Sequence, residues 1–264
     1  MLRSAYGKWL FDGRRSILGW TIAVAGVGGM YAAFWPTIDN PSMREALEAY
    51  PEVILEAMNF QDIATAAGYL NASVYGLVVG VLVLVSAVGA GARAVAGDEE
   101  SGTLDLVLAH PIPRRRLALE RFGAIATTQA VASLGLLVVI LLLSRVVGFE
   151  GISLLEFLAM HLHLALFGVL YAAIAFAVGA ATGRKAVAIG IGAGLGVFGF
   201  AADGILNQVD GFEWVEAYSP FEWLNGGSPL QNGVQWLDVL VMAGLSLVFV
   251  SAGVWRFRRR DVAV

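Results

Sequence analysis

Six long, predominantly apolar runs, near residues 16–36, 69–96, 117–147, 157–182, 186–206 and 236–256, constrain this chain more than anything else in it. Each is long enough to cross about 30 Å of hydrocarbon as a helix, which takes about 20 residues. Lipid supplies no partner for backbone amides, and the runs lack the period-two alternation of a barrel strand. The expected fold is therefore an all-α membrane protein with six transmembrane helices in a single domain, residues 1–264. With 58% hydrophobic and 14% charged residues, the chain has more apolar surface than a water-soluble core of this size can hide. The absence of cysteine excludes disulfides, thiol nucleophiles and thiolate metal sites.

Charge then orients the spans. If the amino terminus is cytoplasmic, only Arg44 and Arg145 of the 17 Lys and Arg residues fall on the outer side. Inner segments carry Lys8, Arg14, Arg15, Arg93, Arg114, Arg115, Arg116, Arg184, Lys185 and the cluster Arg256 to Arg260. Residues 207–234 hold no cation, only acids such as Asp210, Glu213, Glu216 and Glu222. The positive-inside rule thus predicts both termini in the cytoplasm of a plasma-membrane protein.

Residues 1–15 read as an interfacial elbow helix, with Leu2, Ala5, Tyr6, Trp9 and Leu10 on one face and basic groups around the other, or as a plain basic flank of the first span. Two external segments, 37–68 and 207–235, are too long for turns. In the first, Ser42-Met43-Arg44-Glu45 has the capping-box pattern, and Met43, Leu47, Ile54, Leu55 and Met58 are spaced for amphipathic helices divided at Pro51. In the second, Ser219-Pro220-Phe221-Glu222 predicts a helix start and Gly226-Gly227 its end. Trp214, Tyr218, Phe221, Trp223 and Trp236 read as an interfacial aromatic belt.

Between the second and third runs lies a short charged insert, residues 97–116. Asp98, Glu99 and Glu100 suit the positive end of a short helix, Leu104, Val107 and Leu108 have helical spacing, and Pro111 and Pro113 end it. Arg114, Arg115 and Arg116 return the chain to an anionic leaflet. Such an insert is either a handle gripped by a soluble partner or a juxtamembrane helix resting its leucines on lipid.

The run Glu99-Glu100-Ser101-Gly102-Thr103-Leu104, followed by Leu108, Pro111 and Arg114, resembles the coupling motif of permease subunits in the type-2 superfamily of ATP-binding-cassette exporters. The order of elements along the whole chain is similar as well. The resemblance implies a permease that works with two cytosolic nucleotide-binding ATPase subunits and a second permease copy, identical or related. ATP and Mg would sit on those ATPases, with no cofactor or metal on this chain. It also implies a coupling helix in which Glu99, Glu100, Gly102, Thr103, Leu104, Val107 and Leu108 contact the ATPase and Pro111 and Arg114 fix its exit. The triple arginine departs from the single basic residue of the family pattern.

The residues agree that ATP chemistry lies elsewhere. Gly179-Ala180-Ala181-Thr182-Gly183-Arg184-Lys185 has the wrong spacing for a phosphate loop and reads as a tight inner turn. His161 and His163 point about 200° apart on one helix and cannot chelate together. The Glu99-Glu100 pair resembles that of intramembrane prenyl-protein proteases until Leu104, where that pattern has an arginine. No catalytic constellation emerges, and no nucleic-acid partner is expected. Gln129, Thr127, Thr128, Ser133, Glu156, His161, Asp203 and Asp238 are polar groups within or near spans, to be read as interhelical hydrogen bonds or pathway residues, Gln129 foremost. Gly76 and Gly80, and Gly190, Gly192, Gly194 and Gly196, predict close helix contact, the second set for dimer packing or a moving gate. The expected function is an ATP-driven exporter permease using alternating access at a permease dimer interface. The competing reading is an ATP-independent secondary carrier or membrane scaffold.

Overall fold

The computed structural model describes residues 4–40, 42, 65–108, 112–206, 209 and 211–260. The helices expected between Ser42 and Met58, and Pro111, lie outside the described residues. Six helices are long and apolar enough to cross a membrane: α1 (Ala5–Ala33), α2 (Ala66–Arg93), α3 (Arg114–Leu143), α4 (Leu154–Thr182), α5 (Lys185–Gly204) and α6 (Trp236–Arg259). Each coincides with one of the six apolar runs, and the described residues contain no strand. The chain is a multi-pass, all-α membrane protein.

The hub is α4, which packs against α2, α3, α5 and α6. The most apolar stretches of α4 and α2 are 67% and 61% buried, against 28–33% for the other four, so two helices carry the core while four face mostly lipid. Lipid tails give no hydrophobic drive for helices to associate, so the contact relies on dispersion and close backbone approach through small residues. At Gly91 of α2, a Cβ would stand 2.3 Å from the Ala172 carbonyl oxygen of α4. The aromatics Tyr75, Phe167, Tyr171 and Phe176 are fully buried in this core.

A separate elbow helix over 2–15 is not what the structure shows. Instead α1 runs unbroken from Ala5 to Ala33, starting at Ser4, whose Oγ accepts from the Gly7 amide at 3.1 Å. No proline interrupts it, Ala5 and Trp9 pack against the core, and Glu120 of α3 accepts from the Ala5 amide at 2.6 Å. Its 29 residues extend about 43 Å, so the turns carrying Lys8, Arg14 and Arg15 reach beyond the hydrocarbon without a bend. The helix lies along α3, with Tyr6 hydroxyl 2.9 Å from Thr127 Oγ1 and Gly28 against Leu136.

Between Leu70 and Val79, α2 adopts the wider π-helical register. Gly76 and Gly80 sit there for close approach: a Cβ on Gly80 would lie 2.9 Å from the Tyr75 carbonyl oxygen and 3.2 Å from the Phe221 ring. Phe221 belongs to the short helix Pro220–Asn225, which starts as its sequence predicts, with Ser219 Oγ accepting from the Phe221 amide. Trp214, Tyr218 and Trp236 are exposed as belt residues should be, but Phe221 is not. It is buried edge-on against Phe167 and Phe200, because the helix turns it inward onto α4 and α5.

Candidate functional site

At one end of the bundle, Arg121 of α3 and Arg260 just after α6 converge on the hairpin between α2 and α3. The insert forms two short helices rather than one, Ala96–Glu100 and Leu104–Leu108. They break at Gly102, whose φ of +67° is the left-handed conformation that glycine adopts most readily. The Thr103 amide closes the break by donating to the Asp98 carbonyl at 2.9 Å, and the Ser101 and Thr103 hydroxyls are 2.8 Å apart.

Three consecutive helical residues point about 100° apart, so Asp98, Glu99 and Glu100 cannot share one neighbour. Each takes a different span. Asp98 accepts from Arg121 of α3 at 2.5 Å, and the same guanidinium donates to the Ala94 carbonyl at 2.7 Å. Glu99 is held bidentately by Arg260 at the end of α6, with one contact at 2.8 Å, and its side chain is only 7% exposed. Glu100 accepts from the Lys185 amide at the first turn of α5, at 2.8 Å. Arg114 completes the cluster by donating to the Arg260 carbonyl at 2.8 Å. Against this network lies Gly183, the left-handed cap of α4, where a Cβ would strike both Arg260 and the Glu99 carboxylate.

The apolar residues of the hairpin divide in the same way. Leu104 is buried, and Val107, three residues on, packs half-buried against the core. Leu106, which sequence spacing did not single out, is 70% exposed and also lines a cavity beside the hairpin, next to exposed Asp105, Thr103 and Gly102. The side chain of Leu108 and all of Pro111 lie outside the described residues. Of the residues expected in the coupling contact, Glu99 and Leu104 therefore face the bundle, while Gly102 and Thr103 remain on the surface. Arg121 was detectable in advance as an ionisable group four residues inside an apolar run, a placement that demands a partner. Nothing in the sequence pattern links Arg260 to Glu99.

Polar groups in the spans mostly have structural partners. Ser133 donates to the His161 carbonyl at 2.8 Å, and Thr128 to the Ala124 carbonyl at 3.0 Å. Glu156 is the second half of a capping box with Ser153 at the start of α4. The two histidines diverge: His161 faces Tyr75, whereas His163 bridges the Trp223 carbonyl and the Gln235 amide. Gln129 is almost fully buried with its Nε2 unpartnered, and the Thr21 and Tyr171 hydroxyls are likewise buried without a partner. The α5 glycines do not share a face. Gly192 and Gly196 pack on Val88 and Leu84 of α2, while Gly190 and Gly194 face open space.

At the opposite end, carboxylate oxygens of Asp203, Glu216 and Glu222 lie within 4.8 Å of one another. The Glu222 carboxyl folds over Gly226, and burial, with the nearby charges of Asp203, Glu216 and Asp238, pushes it from 4.5 up to about 7. Between these values the folded chain holds a proton that the unfolded chain has lost, so this group's contribution to stability falls as pH rises through the window. Glu222→Gln is expected to flatten that part of the pH dependence of the melting temperature. Parallel profiles for variant and wild type would refute the assignment.

Among curated proteins, none matches the chain. A model of the ABC-2 family of transporter proteins matches residues 10–262, nearly the whole length. With six spans and a charged hairpin anchored to three of them, the chain belongs to the ABC-2 transporter family as a membrane-embedded transport component.

Proposed function

We propose that the chain is the permease of an ATP-driven exporter and that its hairpin receives the stroke of cytosolic nucleotide-binding ATPase subunits. In this reading both termini are cytoplasmic, two ATPases carry ATP and Mg, and a second permease copy, identical or related, completes the pathway. The distribution of Asp98, Glu99 and Glu100 over α3, α6 and α5 is the observation that carries it. A displacement of a hairpin held by charge-assisted contacts moves three spans together, whereas a hairpin resting on headgroups needs no such attachment. The surface left for the ATPase is Gly102, Thr103, Asp105 and Leu106, with Leu104 anchoring it from behind. The lipid-facing surface of α5, where Gly190 and Gly194 are open, suits the second copy and alternating access between the two.

Leu106 offers the test. An exposed leucine buried on docking contributes about 1.5–3 kcal/mol, so Leu106→Ala is expected to weaken ATPase binding at least about tenfold. Co-purification of the ATPase, and ATP-dependent transport by the reconstituted pair, should fall together while the variant's melting temperature stays at the wild-type value. Undiminished co-purification with Leu106→Asp would sink the docking surface.

A further inference from the structure

A cavity of about 1190 Å³ opens beside the hairpin and runs inward between α1, α2 and α3. It exceeds the roughly 300–1,000 Å³ of ordinary small-molecule sites. Its wall is apolar and aromatic, with Trp9, Ile17 and Trp20 on α1 facing Ala90 on α2. Its inner end is polar. There Ser86 and Gln129, 6% and 2% exposed, meet at 3.3 Å through the Gln129 Oε1, and the amide Nε2 has no partner. Turning the amide over would only move the deficit to its oxygen. A buried amide left in this state costs free energy, and because its Nε2 is itself buried, an occupant of the cavity supplies the missing hydrogen bond only once the Gln129 side chain turns toward it.

The mouth is basic. Lys8 is neutralised by Asp12 at 2.8 Å and Arg121 by Asp98. Arg93 and Lys185 also line the mouth, and neither has a carboxylate partner among the described residues; Glu100 takes the Lys185 amide, not its ammonium. Arg93 lies seven residues from Ser86 on α2, so the cationic rim and the polar inner end are separated by about 10 Å of apolar wall. A water-soluble anion would satisfy the rim alone, and a hydrocarbon would satisfy the wall alone.

We propose that this cavity binds an anionic, lipid-like amphiphile drawn from the leaflet on the hairpin side. Its charged end sits at Arg93 and Lys185, its chain lies along α1, and a carbonyl, ester or hydroxyl oxygen reaches Gln129. The site is lined by residues of one copy of the chain, and its occupancy is measured without ATP or a transport partner. Failure of the export reading therefore leaves it untouched.

Native mass spectrometry of the full-length chain in detergent, incubated separately with phosphatidylglycerol, phosphatidylcholine and glycerol 3-phosphate, tests it. The expected result is one phosphatidylglycerol retained per chain under activation that strips peripheral lipid, with phosphatidylcholine and glycerol 3-phosphate each retained at least tenfold less. Ala90→Phe, which fills the cavity, should abolish retention, and Gln129→Leu should reduce it several-fold. The double substitution Arg93→Gln with Lys185→Gln lies at the rim and serves if the buried variants do not fold; it should erase the preference for the anionic lipid. Equal retention by wild type and the double variant, equal binding of glycerol 3-phosphate, or no lipid retained at all would each overturn the proposal.

Discussion

Glu99→Gln is expected to lower the melting temperature of the detergent-solubilised protein by on the order of 10 °C, because it leaves the Arg260 guanidinium inside the bundle without its counter-charge. The pair is 7% and 14% exposed on its two sides, and Arg260 Nε already has no partner among the described residues, so water cannot readily replace the lost carboxylate. Breaking a buried pair from one side typically costs about 3–5 kcal/mol, whereas replacing both partners by apolar groups is often near neutral. The double variant Glu99→Leu with Arg260→Leu should accordingly recover most of the stability. It should not recover transport if the pair links hairpin movement to α6. Wild-type melting in the single variant would show that the pair is not buried as described, and full transport in the double variant would remove α6 from the coupling route.

An effect of similar size is expected at Gly91. The obstacle there is the backbone of α4, with the Ala172 carbonyl oxygen 2.3 Å, its carbon 3.0 Å and its Cα 3.1 Å from where a Cβ would stand. A side chain can rotate out of the way, but a carbonyl locked in a helix cannot, so Gly91→Ala separates α2 from α4 along the best-buried contact of the molecule. The expected cost is about 3 kcal/mol, the upper part of the usual range for overpacking, and Gly91→Leu should prevent folding. Gly89, two residues earlier, has nothing within 4 Å of its Cβ position, and Gly89→Ala should be neutral or stabilising by up to about 1 kcal/mol through helix propensity. Thermal melting and yield of the pair of variants check this directly. Similar behaviour of the two would mean that α2 and α4 do not meet at Gly91.

Several local features were readable before any coordinates. Ser219-Pro220 starts a helix where its composition says it should, and Gly183 ends one. Ser153-x-x-Glu156 carries the capping-box pattern just as plainly, which makes Glu156 a helix cap rather than a pathway residue. The α5 glycines follow the arithmetic that separates His161 from His163: two residues on a helix is about 200°, so Gly190 and Gly194 must face away from Gly192 and Gly196. The elbow was harder to read. A basic, amphipathic start is compatible with a bent helix or a straight one, and the choice falls to Glu120 and the core contacts of Ala5 and Trp9, which belong to other parts of the chain.

The number of spans, and the gathering of basic segments at one end of the bundle, are properties of the chain read alone. In lipid each helix must satisfy its own backbone hydrogen bonds, and that requirement is met within about 20 neighbouring residues. The partners of the hairpin acids are of another kind. Asp98 meets a residue 23 positions away, Glu100 one 85 away and Glu99 one 161 away, and no local pattern encodes such pairings. They arise because α4, packed against α2, α3, α5 and α6, brings the ends of α3, α5 and α6 around one short helix whose successive side chains point in three directions.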